Sequence, residues 1–228
     1  MTRKLSFILG CYFLLLGSWA SAQTPPKKTA SGVQNAIQNF FQPGSGAKPK
    51  RLEPLKLNAQ TAAAEALTLY DTNEDGILSG EELDASPALK ASLSWLDKNN
   101  DRGISADEIA ARIKAWQDSK IGLTSPSIRV LYGGRPVKSG TVILTPEPFL
   151  GPTFSPATGT IVNGAAPVSC DPAKNPEGLS GLPIGFYTVT FEDVENAPEK
   201  MGIEIFDQNP EYRKASSYIL ELKEKAKP

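Results

Sequence analysis

The chain has 228 residues, 24 of them basic and 25 acidic, for a formal net charge of −1 with no histidine. Near-neutral charge with both signs mixed along the chain excludes the basic footprint of a nucleic-acid-binding protein. The lack of histidine removes Ser–His and Cys–His nucleophile pairs, His-ligated zinc and the commonest general base.

The first 22 residues read as a cleavable leader. Arg3 and Lys4 form a positive head, Leu5–Trp19 an apolar stretch, and Ala20-Ser21-Ala22 a small-x-small cleavage site before Gln23. The apolar run is short for a membrane span. Cys11 has too little apolar sequence before it and too much after it for a lipidation signal. The expectation is a secreted or periplasmic protein, cleaved after Ala22, with no membrane span thereafter. Cleavage leaves Cys170 as the only cysteine, so no intrachain disulfide can form, and stability must come from other sources.

Residues 23–57 read as a disordered arm or linker, with Pro25-Pro26-Lys27-Lys28, Pro43-Gly44-Ser45-Gly46 and Lys48-Pro49-Lys50-Arg51. Within it Val33, Ile37, Phe40 and Phe41 would share one side of a helix too short to be stable by itself.

Thr61–Tyr70 is rich in Ala and Leu and free of breakers, which predicts a helix. It leads into Asp-Thr-Asn-Glu-Asp-Gly-Ile-Leu-Ser-Gly-Glu-Glu at 71–82, and a second segment of the same pattern, Asp-Lys-Asn-Asn-Asp-Arg-Gly-Ile-Ser-Ala-Asp-Glu, occupies 97–108. Calcium takes six to eight oxygens at about 2.3–2.6 Å, and a twelve-residue loop supplies them from positions 1, 3, 5, 7, 9 and 12. In the first loop those positions are Asp71, Asn73, Asp75, the carbonyl of Ile77, Ser79 and Glu82. In the second they are Asp97, Asn99, Asp101, the carbonyl of Gly103, Ser105 and Glu108. Position 8 is Leu78 in one loop and Ile104 in the other, suited to a short β-bridge between them. Arg102 stands at position 6, where a glycine usually makes the turn, so the first loop is expected to bind the tighter of two calcium ions.

The flanks agree with the loops. A short outgoing helix starts at Glu81–Leu83, Ser86 is placed to cap and Pro87 to open the next helix. Leu89, Leu93 and Leu96 make one apolar face before the second loop, and Ile109, Ile113 and Trp116 make one after it. Trp95 and Trp116 flank that loop. This helix–loop–helix array over 58–119 resembles a paired EF-hand domain. A dockerin module also carries two such loops, but typically lacks a full helix before each one.

From Thr124 the period changes to 2 and the composition shifts to Gly, Pro, Val and Thr. Strands are predicted at Ser127–Tyr132, Thr141–Thr145, Gly159–Val162, Gly185–Glu192, Gly202–Phe206 and Ser217–Leu222. Gly133-Gly134 would permit a tight hairpin after the first of them. Tyr132-Gly133-Gly134-Arg135-Pro136-Val137-Lys138-Ser139-Gly140-Thr141-Val142 and Gly181-Leu182-Pro183-Ile184-Gly185-Phe186-Tyr187-Thr188-Val189 resemble segments of transthyretin-like and carboxypeptidase-regulatory-like sandwiches. Ile161-Val162-Asn163-Gly164 departs from the Asp-x-x-Gly turn common in that group. The resemblance implies an all-β sandwich over 126–226, hence a multidomain fold of an all-α EF-hand pair and an all-β sandwich. Lys120–Pro126 would be the boundary, leaving each part able to fold alone.

No catalytic set stands out. Cys170 lacks an activating histidine, and Glu147, Asp171, Glu177, Glu192, Asp193 and Glu195 are scattered over predicted turns and strand ends. The reading is therefore a non-enzymatic exported protein in which calcium is mainly structural. The alternative is a calcium-dependent adhesion module, or an accessory module that binds an extracellular protein or polysaccharide, with Phe149, Phe154 and Tyr212 as loop aromatics available to a sugar.

Overall fold

The structure is a computed structural model and describes residues 57–174, 178–215 and 217–223. The leader, the arm with its 33–41 segment, and Glu177 lie outside the described residues. No helix among the described residues is long and apolar enough to cross a membrane.

The chain is β-rich with a group of helices at its start. Helix α1 (Ala59–Tyr70) is capped by Asn58, whose Oδ1 accepts the Thr61 N–H at 3.0 Å. Strand β1 (Ile77–Ser79) follows, then the single-turn α2 (Glu82–Ala85) and α3 (Pro87–Leu96). Pro87 opens α3 as expected, but the Ser86 side chain makes no cap bond and is buried instead. Strand β2 (Gly103–Ser105) leads into α4 (Ala106–Ser119), which starts with a reciprocal capping box between Ser105 and Glu108. It ends on Lys120, in the left-handed conformation at φ 57°.

The segment expected to be a free boundary is itself paired. Strand β3 (Leu123–Thr124) lies antiparallel to β10 (Leu182–Pro183). The main sheet contains β4 (Ser127–Tyr132), β5 (Arg135–Pro136), β6 (Ser139–Pro146), β7 (Ala157–Val162), β8 (Ala165–Pro167), β9 (Ser169–Cys170), β11 (Gly185–Glu192), β12 (Met201–Ile205) and β13 (Tyr218–Leu222). The short α5 (Pro210–Ala215) connects β12 to β13. Gly133 and Gly134 turn the β4–β5 hairpin with φ 55° and 76°, the conformation that a two-residue primed turn needs.

The six predicted strands are present with small shifts in their ends. Their arrangement differs from two separate packed sheets. They join into one curled sheet of order β12-β11-β6-β7-β8-β4-β13, with β5 on β4 and β9 on β7. The last pairing, β13 on β4, is parallel. Period-2 alternation in sequence reports which face a residue takes, and says nothing of strand order.

Alternation holds in β7, where Ala157, Gly159 and Ile161 point inward. It fails at the start of β11, where Gly185, Phe186 and Tyr187 are all buried. Helices cover the second face there: the Trp116 ring of α4 meets Phe186 edge-on at 4.7 Å. Such a pair contributes about 0.5–1.5 kcal/mol beyond the area it buries. Gly202 serves the same close approach, since a methyl group there would run into the backbone carbonyl of Pro87 at the start of α3. One hydrophobic cluster runs from Ala62, Leu89 and Ile113 through Phe186 and Val189 to Leu222, and the described residues fall in one compact unit.

That continuity weighs against the independent folding expected from the change in composition. Residues 126–228 alone would retain the buried carboxylates of Glu147 and Glu204 without their helical partners. Leaving a buried charge unpaired costs several kcal/mol. This fragment is expected to be insoluble or to lack a cooperative thermal transition, and circular dichroism of a purified 126–228 fragment checks it.

Candidate metal centre

The two twelve-residue loops share left-handed positions in their first half and part at position 10, where Gly80 is left-handed (φ 50°) and Ala106 already opens α4. Position 4 is left-handed in both, at Glu74 (φ 60°) and Asn100 (φ 63°). So is position 6, at Gly76 (φ 84°) and Arg102 (φ 72°). Arg102 therefore adopts the glycine conformation at a cost of roughly 1 kcal/mol. The loops lie side by side through β1 and β2, with Leu78 directly opposite Ile104 and both fully buried. Glycine at position 7 of the second loop is a packing requirement: a Cβ on Gly103 would overlap the Ile77 side chain across the bridge.

Hydrogen bonds fix the side chains in matching ways. Asn73 Oδ1 accepts the Asp75 N–H and Asp75 Oδ1 the Ile77 N–H, each at 2.9 Å. In the second loop Asn99 Oδ1 accepts from Asp101 N at 3.0 Å and Asp101 Oδ1 from Gly103 N at 2.9 Å. Asp71 Oδ2 accepts the Gly76 N–H at 2.8 Å, and Asp97 Oδ2 the Arg102 N–H at 2.9 Å. Glu82 closes the first loop by accepting from the N–H groups of Thr72, Asn73 and Ser79. Glu108 does the same with Lys98 and Ser105.

One atom breaks the symmetry. Asp97 Oδ1 accepts the Asn100 N–H at 2.6 Å, whereas Asp71 Oδ1 is buried and has no hydrogen-bond partner. A buried carboxylate oxygen without a donor is costly, and a cation is a natural partner for it. The first loop thus offers an open anionic oxygen at position 1, together with the carbonyl of Ile77 and the Ser79 hydroxyl. The oxygen-rich donor set, without nitrogen or sulfur, suits a hard divalent cation. The carboxylates themselves are spread over separate N–H donors. Among the described residues no three His, Cys, Asp or Glu side chains converge as they would around a metal ion.

The same bonds shift both closing carboxyls. The Ser79 N–H, followed by those of Thr72 and Asn73, holds Glu82 below its ordinary value of 4.5. Burial pushes Glu108 up, but hydrogen bonds from Ser105 and Lys98 outweigh it and leave it below 4.5.

Other candidates lie elsewhere and do not come together. Cys170 is buried at 2 % exposure, its thiol pushed up by burial, 3.5 Å from the Ser155 carbonyl. Glu192, Asp193 and Glu195 are exposed on one turn, with Asp193 left-handed at φ 55°. Phe149 and Phe154 are buried, so neither ring is available to a sugar, and the half-buried Tyr212 stacks on Tyr218 at 4.5 Å.

Sequence reasoning missed two buried glutamates between helices and sheet. Glu147, just past β6, takes the Tyr70 hydroxyl on Oε2 and the Thr188 hydroxyl on Oε1, both at 2.9 Å, and the Ala88 N–H at 3.4 Å. Glu204, in β12, binds Arg112, Trp95, Trp116 and Asn209. Period 2 in β12 sets Glu204 opposite Ile203 and Ile205 and so reads as exposed, whereas all three are buried. No family model, curated protein or solved structure matches the chain.

Two outcomes follow from this geometry. Arg102→Gly relieves the left-handed strain and should stabilise the metal-free protein by about 0.5–1 kcal/mol, read from urea denaturation. The depressed carboxyls of Glu82 and Glu108 contribute stability that is present above pH 4.5 and lost as pH falls through their lower folded values. A Glu82→Gln/Glu108→Gln protein should therefore lose less stability between pH 5 and 3 than the parent, by denaturation at each pH.

Proposed function

We propose that this is an exported, non-enzymatic calcium-binding protein whose 58–119 region is an EF-hand pair binding two calcium ions. The supporting observation is the buried, unpartnered Oδ1 of Asp71 at the first ligand position of a loop whose left-handed positions 4 and 6 repeat in its neighbour. Asp71, Asn73, Asp75, the Ile77 carbonyl, Ser79 and Glu82 would hold one ion. Asp97, Asn99, Asp101, the Gly103 carbonyl, Ser105 and Glu108 would hold the other. Calcium supplies positive charge that relieves repulsion among three carboxylates per loop and draws their oxygens to a common centre. The first loop is the tighter site, because its position-1 oxygen is free of backbone bonds and its turn carries glycine.

The role assigned to calcium is structural. The loops are tied through buried groups to the β-rich part, which we read as a transthyretin-like module, so occupancy of the loops stabilises the whole compact unit. Loops in extracellular modules bind at about 10⁻⁴–10⁻³ M, a range matched to calcium outside the cytoplasm. Export rests on the leader pattern at 1–22. Sugar recognition by Phe149 and Phe154 has lost its support through their burial.

Calorimetry on the mature protein is expected to give two calcium ions per chain. Glu82→Gln should abolish the tighter event and Glu108→Gln the weaker one; if neither substitution changes the isotherm, the loops are not the sites. Millimolar calcium should add about 1–3 kcal/mol of stability, and a melting curve unmoved by chelator would contradict the structural role.

A further inference from the structure

The second loop is held by its neighbours in a way that the first is not. It leaves α3 one residue after Leu96 and closes at Glu108, inside the first turn of α4. Its first ligand, Asp97, therefore moves with α3 and its last, Glu108, with α4. Calcium binding needs those two ligands at one fixed separation, so whatever sets the relation of α3 to α4 sets the fraction of molecules competent to bind.

A single carboxylate spans both helices. Trp95, two residues before Asp97, donates its indole N–H to Glu204 Oε2 at 2.9 Å. Arg112, one turn beyond Glu108, donates from Nε to Oε1 at 2.5 Å and from a terminal nitrogen to Oε2 at 2.7 Å. Trp116, a further turn along α4, donates to Oε1 at 2.8 Å. Asn209 completes the ring at 2.9 Å. Glu204 is 1 % exposed, and the Arg112 guanidinium stands over the Phe206 ring at 5.0 Å, so the assembly is enclosed and rigid. The first loop has only a lighter counterpart, Glu147, which takes the Tyr70 hydroxyl at 2.9 Å and the Ala88 N–H at 3.4 Å and no charged donor. Its incoming helix reaches Glu147 through Tyr70, and among the described residues its outgoing turn, Glu82–Ala85, has no bond to either buried glutamate.

We propose that Glu204 is a positioning residue for the 97–108 loop, fixing α3 against α4 so that Asp97 and Glu108 are held at the separation a calcium ion requires. The inference rests on the calcium reading above and adds to it a dependence specific to one loop. It also gives the strained loop a compensation. With Arg102 in a left-handed conformation, the second loop has less intrinsic preference for its bound shape, and the clamp supplies it from outside. Apparent affinity scales with the competent fraction, so a clamp that loosens until a tenth of molecules are competent weakens binding about tenfold.

The test is calcium calorimetry in two single-loop backgrounds, Glu82→Gln (97–108 loop active) and Glu108→Gln (71–82 loop active), each with and without Glu204→Gln. Glutamine keeps the shape but loses the charge that holds Arg112 and presents an amide to donors. The expected result is a Kd raised about tenfold or more in the Glu82→Gln background and less than about twofold in the Glu108→Gln background. Equal weakening of both loops would mean that Glu204 acts only through global stability, and no weakening would mean that the helices need no clamp; either overturns the proposal. Absence of calcium binding to the parent protein would overturn the calcium reading itself, and this inference with it. Should Glu204→Gln fail to fold, as judged by circular dichroism, Trp95→Phe removes one donor while keeping an aromatic side chain there and the Arg112 pair. It should show the same loop selectivity at about threefold, and equal or absent effects would overturn the proposal in the same way.

Discussion

A carboxylate buried to 1 % exposure in the middle of a strand is the constraint around which the rest of this structure is arranged. A carboxylate in an apolar interior needs several good donors, and a side chain standing off a strand finds them on the elements packed against that face. The donors come from helices: two indoles and a guanidinium from α3 and α4, with the Asn209 amide from the chain that follows β12. Helices and sheet are thereby committed to one relative placement. Gly202 permits the close approach that brings α3 onto β12, and the Trp116–Phe186 contact fills the space beside it. The two tryptophans that flank the second loop thus report the seam between helices and sheet rather than the helices alone.

Glu147 repeats the device on a smaller scale. It joins α1 through the Tyr70 hydroxyl and the start of α3 through the Ala88 N–H to the end of β6. Burial, with the neighbouring Glu147 charge, keeps the Tyr70 phenol protonated far above its ordinary range, so it remains a donor at any physiological pH. Tyr70 immediately precedes Asp71, the first residue of the 71–82 loop. Each loop is therefore anchored at its edge to a different buried glutamate, one by a single hydroxyl and the other by a charged network. The two loops and the sheet are thus joined through buried hydrogen bonds, more of them beside the second loop than beside the first.

Much of the local structure was legible because it is decided by residues close in sequence. The turn at position 6 and the closing glutamate at position 12 involve only residues within one loop. The Leu78–Ile104 pairing follows from two equal loops on short connections. Strand positions were readable from alternation, with errors of one or two residues at their ends. The serine at 86 illustrates the limit. Serine has the right chemistry for a cap, yet the Ser86 side chain is buried and makes no cap bond, while α4 ends at Ser119 where the sequence placed its end.

The sequence by itself determined the two loops, the helices around them and the strands that follow, since hydrogen bonds and apolar period act over a few residues. Only the tertiary structure decided that Glu147 and Glu204 are buried, that Phe149 and Phe154 face inward, and that the strands form one curled sheet. It also made Leu123–Thr124 a paired strand where composition pointed to a linker. A glutamate in a strand looks the same in sequence whether its partners are water or an arginine 92 positions away. Pairings over such distances are set by which surfaces meet, and that depends on the whole chain at once.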